Sequence, residues 1–316
     1  MRPKAITIDE TIWGQTSYDL SIFALGFESR ATSLLESLRG KSNHLLAFGF
    51  DHGHSGAYLS NLQKFTDAGA TVIAELSDVD FETTLANILK ERPEDSSQTF
   101  SVDISCFSRF RLAAIVHALF EMSEGRKQPL IIDFIYSVAE FEPPTPNHFP
   151  NTVVGPAHPA FAGWSQGGYS STAAVVGLGY EQDQALGVVE YLQAGEVWTF
   201  IPDSPIPEYK PKVMEANNLL LCETPKQHVI EYDVCSPASI VTTLDSVVRG
   251  LSGDHSVVLV PFGPKIFVLS SLLVAAMRDD VAVWRVSQGS HIPETDRRAS
   301  GVRVGLRLSF PGQAVL

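Results

Sequence analysis

The sequence predicts an α/β protein made of two tandem, doubly wound, mainly parallel Rossmann-like domains that arose by internal duplication. Three observations predict it. Short, nearly continuous apolar runs alternate with helical patterns along the chain, as strands covered on both faces by crossover helices require. Six segments recur in the same order at offsets of 150 to 158 residues, and such self-similarity marks a repeated structural unit. A length of 316 residues accommodates two cores at roughly 150 residues each.

The elements follow in order. The first strand ends in Ala24-Leu25-Gly26-Phe27-Glu28 and repeats as Gly177-Leu178-Gly179-Tyr180-Glu181; each copy opens a helical pattern, over 31–38 and 185–192. The second strand, 45–51, matches 197–203, and both runs end in aspartate, Asp51 and Asp203. A third pairs 71–76 with 229–234. Helices are expected next, over 79–89 behind Ser77 or Asp78, and over 238–248 behind Ser236-Pro237, where serine caps and proline takes the first helical position. The fourth strand, 100–105, matches 258–263, and strongly apolar helices follow over 112–122 and 266–277. The fifth pairs 130–137 with 281–287, and the sixth pairs Thr152-Val153-Val154-Gly155 with Val302-Arg303-Val304-Gly305. No crossover helix precedes the sixth strand, so it is expected to be antiparallel or a hairpin partner of the fifth. Residues 142–171 are rich in Pro, Gly, Ser and Asn and read as a connector. The expected domains are therefore 1–170, connector included, and 171–316.

Charge and cysteine usage bound the partners. With 36 acidic against 23 basic side chains and a net charge of −13, bulk nucleic-acid binding and attraction to an anionic membrane are not expected. Cys106, Cys222 and Cys235 are an odd count without paired spacing, which excludes a disulfide framework and a CxxC metal motif. No apolar run reaches the roughly 18 residues that span a bilayer, and the N-terminus lacks a secretory pattern. The expected compartment is the cytoplasm.

Ligands of open α/β sheets bind beyond the carboxyl ends of the strands, where strand order reverses. In the first half that rule selects Gly26, Glu28 and Arg30, then Asp51, then Asp103, Ser105, Ser108 and Arg109. In the second half it selects Gly179, Glu181, Gly263 and Lys265. Ser105, Ser108, Arg109 and the amides of a helix start can hold a phosphate or carboxylate, because the amides point at the anion and the helix dipole favours it; helix capping by either serine fits the same residues. Lys265 offers the matching cation, with Gly263 allowing close approach. Glu28 and Glu181 fit either a dipole-favoured place at a helix start or contacts to ribose hydroxyls. Cys106 beside Arg109 has the setting of an activated thiol, but the loop between them is shorter than phosphatase chemistry needs, and a lone cysteine is more often buried and inert. His52 and His54 lie in a glycine loop without a placed third metal ligand, so no metal site is expected. Neither GxGxxG nor GxxxxGK[ST] occurs in the required context; no cofactor is expected.

The order Gly26-Phe27-Glu28-Ser29-Arg30, Asp103-Ile104-Ser105 and Phe262-Gly263-Pro264-Lys265 resembles tandem Rossmann-like proteins of bacterial defence operons and, more loosely, CRISPR-associated Rossmann-fold sensor domains. The resemblance implies a nucleotide sensor whose effector is a separate protein chain. The leading expectation is a binding or sensor protein for a nucleotide or phosphorylated small molecule. One alternative is an enzyme acting on a nucleotide or nucleoside with Asp103 or Glu28 as base or nucleophile. The other is a non-catalytic interaction scaffold.

Overall fold

A computed structural model describes residues 2–143, 152–163, 171–287 and 295–312. The chain forms two compact α/β units, Met1–Glu140 with Glu294–Leu316, and Phe141–Pro293. Each is built on one mainly parallel sheet flanked by helices, so the two Rossmann-like halves are present.

The first unit runs β1 (Lys4–Ile8), α1 (Glu10–Trp13), β2 (Leu20–Leu25), α2 (Leu35–Leu38), β3 (Leu45–Phe50), α3 (Tyr58–Asp67), β4 (Thr71–Leu76), α4 (Asp78–Lys90), β5 (Gln98–Asp103), α5 (Arg109–Ser123) and β6 (Leu130–Ala139). The second holds β7 (Val153–Pro156), β8 (Thr172–Gly177), α6 (Gln184–Leu192), β9 (Glu196–Asp203), α7 (Tyr209–Ala216), α8 (Asn218–Glu223), β10 (Val229–Asp233), α9 (Pro237–Leu251), β11 (Ser256–Pro261), α10 (Lys265–Ala276) and β12 (Val281–Ser287). The last strand, β13 (Ala299–Phe310), returns to the first unit. The sheet orders are β1-β13-β6-β5-β2-β3-β4 and β10-β9-β8-β11-β12-β7. Strand order therefore reverses between β2 and β5 in one sheet and between β8 and β11 in the other.

The boundary expected near residue 170 is corrected by these pairings. β7 follows β6 in the chain but pairs antiparallel with β12, whereas β13 follows β12 but pairs antiparallel with β6 and with β1. The sixth strands are antiparallel as expected, but each lies beside the fifth strand of the other repeat. An apolar alternation declares a strand without declaring which edge it covers. Strand β1, absent from the sequence expectation, is a short alternating segment with no counterpart among the described residues of the second repeat. Part of the expected connector, including Gly167 and Gly168, lies outside the described residues.

Local chemistry accounts for the elements. α10 is buried around nearly its whole circumference, and its two serines satisfy their hydroxyls on carbonyls four residues back, Ser270 on Ile266 at 2.8 Å and Ser271 on Phe267 at 2.9 Å. Ser77 caps α4 by accepting from Asp80 N at 3.1 Å. Ser236 stands at the cap position of α9 but makes no capping bond; its hydroxyl donates to Asp233 Oδ2 at 2.6 Å instead. The helix expected over 31–38 is split into a 3₁₀ turn, Ser29–Thr32, and the short α2. The Arg303 guanidinium donates to the Ser37 hydroxyl at 2.9 Å and to the Ser33 carbonyl at 2.8 Å, the latter an acceptor that a continuous helix would use.

Candidate functional site

In the first unit, the ends of β2, β5 and β6 gather a polar network. The Arg30 side chain turns inward, 4% exposed. Its Nε donates to Glu28 Oε2 at 2.6 Å and its Nη1 to the Ser137 carbonyl at 3.1 Å. Burial opposes its charge, but the adjacent Glu28 carboxylate more than offsets this and displaces its pKa upward. Glu28 stands at the cap position of the 3₁₀ turn without capping it; its carboxylate is committed to Arg30 and also receives the Cys106 thiol at 3.5 Å. The Ser105 hydroxyl, fully buried, accepts from Ser137 N at 2.8 Å and so ties the end of β5 to β6.

Asp103 is the least satisfied member. Its Oδ1 accepts from Ser105 N at 3.0 Å, while its Oδ2 is buried and has no hydrogen-bond partner among the described residues. Burial pushes its carboxyl up to about 6, against the pull of the Ser105 hydrogen bonds and of Arg30 and Arg303. A carboxyl that is half protonated near pH 6 can accept or donate a proton there, and perturbed carboxylates of this kind cluster at functional sites. The Ser137 hydroxyl, four residues beyond Asp133 on β6, is likewise buried without a partner among the described residues.

The loop after β2 is held by a residue that sequence reasoning missed. Asn61, wholly buried on α3, donates from Nδ2 to the Gly26 carbonyl at 2.9 Å and to the Glu28 carbonyl at 2.8 Å. In the second unit Asn217 makes the equivalent bond to the Gly179 carbonyl at 2.7 Å. The signal was present: Tyr58, Asn61 and Phe65 are the buried residues of α3, so a polar residue occupied the core stripe, and an asparagine recurs 156 residues on.

The other expected residues fall in different settings. Ser108 is the cap of α5, its Oγ accepting from Arg111 N at 3.1 Å, and Arg109 is the first residue of that helix. Asp51 lies exposed past β3 and bonds His52 Nδ1 at 2.6 Å; that hydrogen bond lowers its pKa. His54 bonds the Phe50 carbonyl at 2.9 Å and packs on Tyr58. Among the described residues no three His, Cys, Asp or Glu side chains meet as a metal ion would need. Arg111, also missed, is fully buried. It donates to the carbonyls of Gly49 and Leu76 and to Asp78, and lies over the Phe50 ring at 3.8 Å, which fixes the ends of β3 and β4 rather than a ligand.

In the second unit the strand ends pack on themselves. Gly263 N donates to the Gly177 carbonyl at 3.2 Å, and a Cβ at Gly263 would stand 2.8 Å from the Leu178 carbonyl oxygen. A Cβ at Gly179 would meet Glu181 Oε2 and lie 3.1 Å from the Phe262 carbonyl oxygen. Glu181 Oε2 is itself buried without a partner among the described residues. Lys265 opens α10 behind Pro264. Thus Gly26, Glu28, Arg30, Asp103 and Ser105 come together in one network, Ser108 and Arg109 start the adjoining helix, and Asp51 stands apart from them. No helix among the described residues is long and apolar enough to cross a membrane. No protein-family model and no curated protein matches the sequence.

Proposed function

We propose that this is a cytoplasmic binding or sensor protein for a nucleotide or other phosphorylated small molecule, held beyond the carboxyl ends of the strands. One observation carries the reading. Asp103, Ser105, Ser137, Arg30 and Asn61 are buried together where strand order reverses, and Asp103 Oδ2 and Ser137 Oγ lack partners among the described residues. An unmatched buried polar group costs about 1–3 kcal/mol, so fold stability alone favours apolar residues there; a ligand that supplies the missing bonds gives the cost a use. Asp103 and Glu28 accept from sugar hydroxyls or base amino groups. Arg109 and the amino end of the 15-residue α5 hold the phosphate, since the helix dipole and the guanidinium both favour an anion. The resemblance to tandem Rossmann-like defence proteins adds a separate effector chain as the recipient of the signal.

Calorimetry of the full chain against adenosine and guanosine 5′-mono- and triphosphates tests the reading. Binding of at least one, weakened tenfold or more by Arg109→Ala and by Asp103→Asn, is the expected result. Binding unchanged in both variants removes the assignment. A second reading, catalysis on a nucleotide or nucleoside with Asp103 as acid or base, is favoured by the displacement of its carboxyl to about 6. Turnover lost in Asp103→Asn with nucleotide binding retained selects it over the first.

A further inference from the structure

The two halves share a frame at the point where strand order reverses: Gly26 and Gly179 after the first strand, Glu28 and Glu181 two residues on, and Asn61 and Asn217 bonding the glycine carbonyl from below. They differ in whether the two central strands separate there. β2 pairs with β5 only from Leu20 to Ile22, so Phe23–Leu25 continue without a ladder partner on that side. Beyond β5 the chain follows β6 instead, with Ile104 N donating to the Ile135 carbonyl at 2.9 Å and Ser137 N donating to Ser105 Oγ. A Cβ built on Gly26 meets no atom of the described residues within 4 Å.

In the second unit β8 pairs with β11 through its last residue, Gly177. The closure then runs past the strands, because Phe262 N and Gly263 N both donate to the Gly177 carbonyl, at 2.8 and 3.2 Å. Gly263 is forced by this approach, since any side chain would strike the Leu178 carbonyl. The sequence changes that do it are local. Asp103-Ile104-Ser105, which bends toward β6, is replaced by Pro261-Phe262-Gly263, which lies flat against β8.

We infer that the ligand occupies the crevice between β2 and β5 of the first unit alone, one molecule per chain, and that the matching crevice of the second unit is closed by its own backbone. The inference rests on the small-molecule reading above. Splayed strands make the crevice in which such sheets bind ligands; strands that stay hydrogen-bonded to their ends leave no crevice, and opening one would expose backbone groups at a cost of about 1–3 kcal/mol each.

Hydrogen exchange read by mass spectrometry, on the full chain with whichever of AMP, ATP, GMP and GTP binds, tests this together with calorimetric stoichiometry. Expected are one site per chain, slowed exchange in peptides covering 23–30 and 103–109, and none in those covering 177–183 and 261–266. Gly26→Val, which adds methyl groups into open space, is expected to keep its thermal midpoint and lose tenfold or more in affinity. Two sites per chain, or protection confined to the second unit's peptides, overturns the inference while leaving nucleotide binding intact. Failure of all four nucleotides to bind overturns the small-molecule reading and this inference with it.

Discussion

Replacing Arg307 by methionine isolates one buried charge and shows what holds β13 in the first sheet. Asp133 on β6 is fully buried, and its carboxylate receives three bonds of 2.7 Å: Arg307 Nε on Oδ1, and Arg307 Nη2 and the Tyr18 hydroxyl on Oδ2. Burial, with the Asp133 charge, holds the Tyr18 phenol well above its ordinary range, so Tyr18 stays a donor at all working pH. Methionine keeps most of the apolar stem of Arg307 but removes both charged donors. Breaking a buried pair from one side costs about 3–5 kcal/mol; because the Arg307 side chain is 19% exposed, the low end, about 3 kcal/mol, is expected. At about 1.4 kcal/mol per tenfold, amides of β6 and β13 should exchange on the order of 100-fold faster, measured by hydrogen exchange so that this unit is read separately from the other. Asp133→Leu combined with Arg307→Met and Tyr18→Phe should recover more than half of the loss, because no charge or hydroxyl is left stranded. A loss under about 1 kcal/mol in Arg307→Met, or a triple variant no better than the single one, refutes the reasoning.

The remaining expectations concern pH, a second buried arginine and the domain boundary. Asp103 has a folded-state pKa of about 6 against an ordinary 3.8. The native state therefore keeps its proton longer than the unfolded chain, and stability falls as pH rises from about 4 to 6, by on the order of 3 kcal/mol at most; thermal midpoints of Asp103→Asn across that range should lack this component. Arg111→Met should cost about 2–4 kcal/mol by urea titration, since the Gly49 and Leu76 carbonyls and Asp78 lose their donor together. A fragment of residues 1–170 should fail to fold by circular dichroism, having β6 uncovered and Asp133 without Arg307, whereas 1–140 joined by a short linker to 294–316 should fold cooperatively.

Much of the fold was legible because strand identity is local: 71–76 and 281–287 were bounded to the residue from apolar runs and flanking polar positions. Helices with a full apolar face, α5 and α10, were legible for the same reason. The helix over 31–38 was not, since its interruption comes from Arg303, more than 260 residues away in sequence. The strand-end rule selected Gly26, Glu28, Arg30, Asp103 and Ser105, which the fold brings into one network at the ends of β2, β5 and β6. Their partners were out of reach. Nothing near Ser105 in sequence says that its hydroxyl serves Ser137, and Asn61 becomes meaningful only once its position on the buried stripe of α3 is known.

The exchange of the sixth strands raises the question of what stops each from pairing inside its own repeat, since β7 and β13 are equivalent in sequence and both lie antiparallel to a fifth strand. The extent of the ladders, Arg303–Phe310 on β6 and Val153–Pro156 on β12, does not by itself match either strand to its partner. Side chains on one rung can. In the first sheet Asp133 faces Arg307; the rung in the second sheet reached by continuing its register is Val283 beside Ala157, whose amide donates to the Val283 carbonyl at 2.7 Å, with both residues buried. Placing β7 on β6 would set Ala157 against a buried carboxylate, and placing β13 on β12 would bury a guanidinium against valine. Each mismatch strands a charge at about 3–5 kcal/mol, more than connectivity through a longer loop costs, because each doubling of loop length adds only about 0.6 kcal/mol. The charged rung thus favours the exchanged pairing, alongside the β1 ladder that holds the other edge of β13.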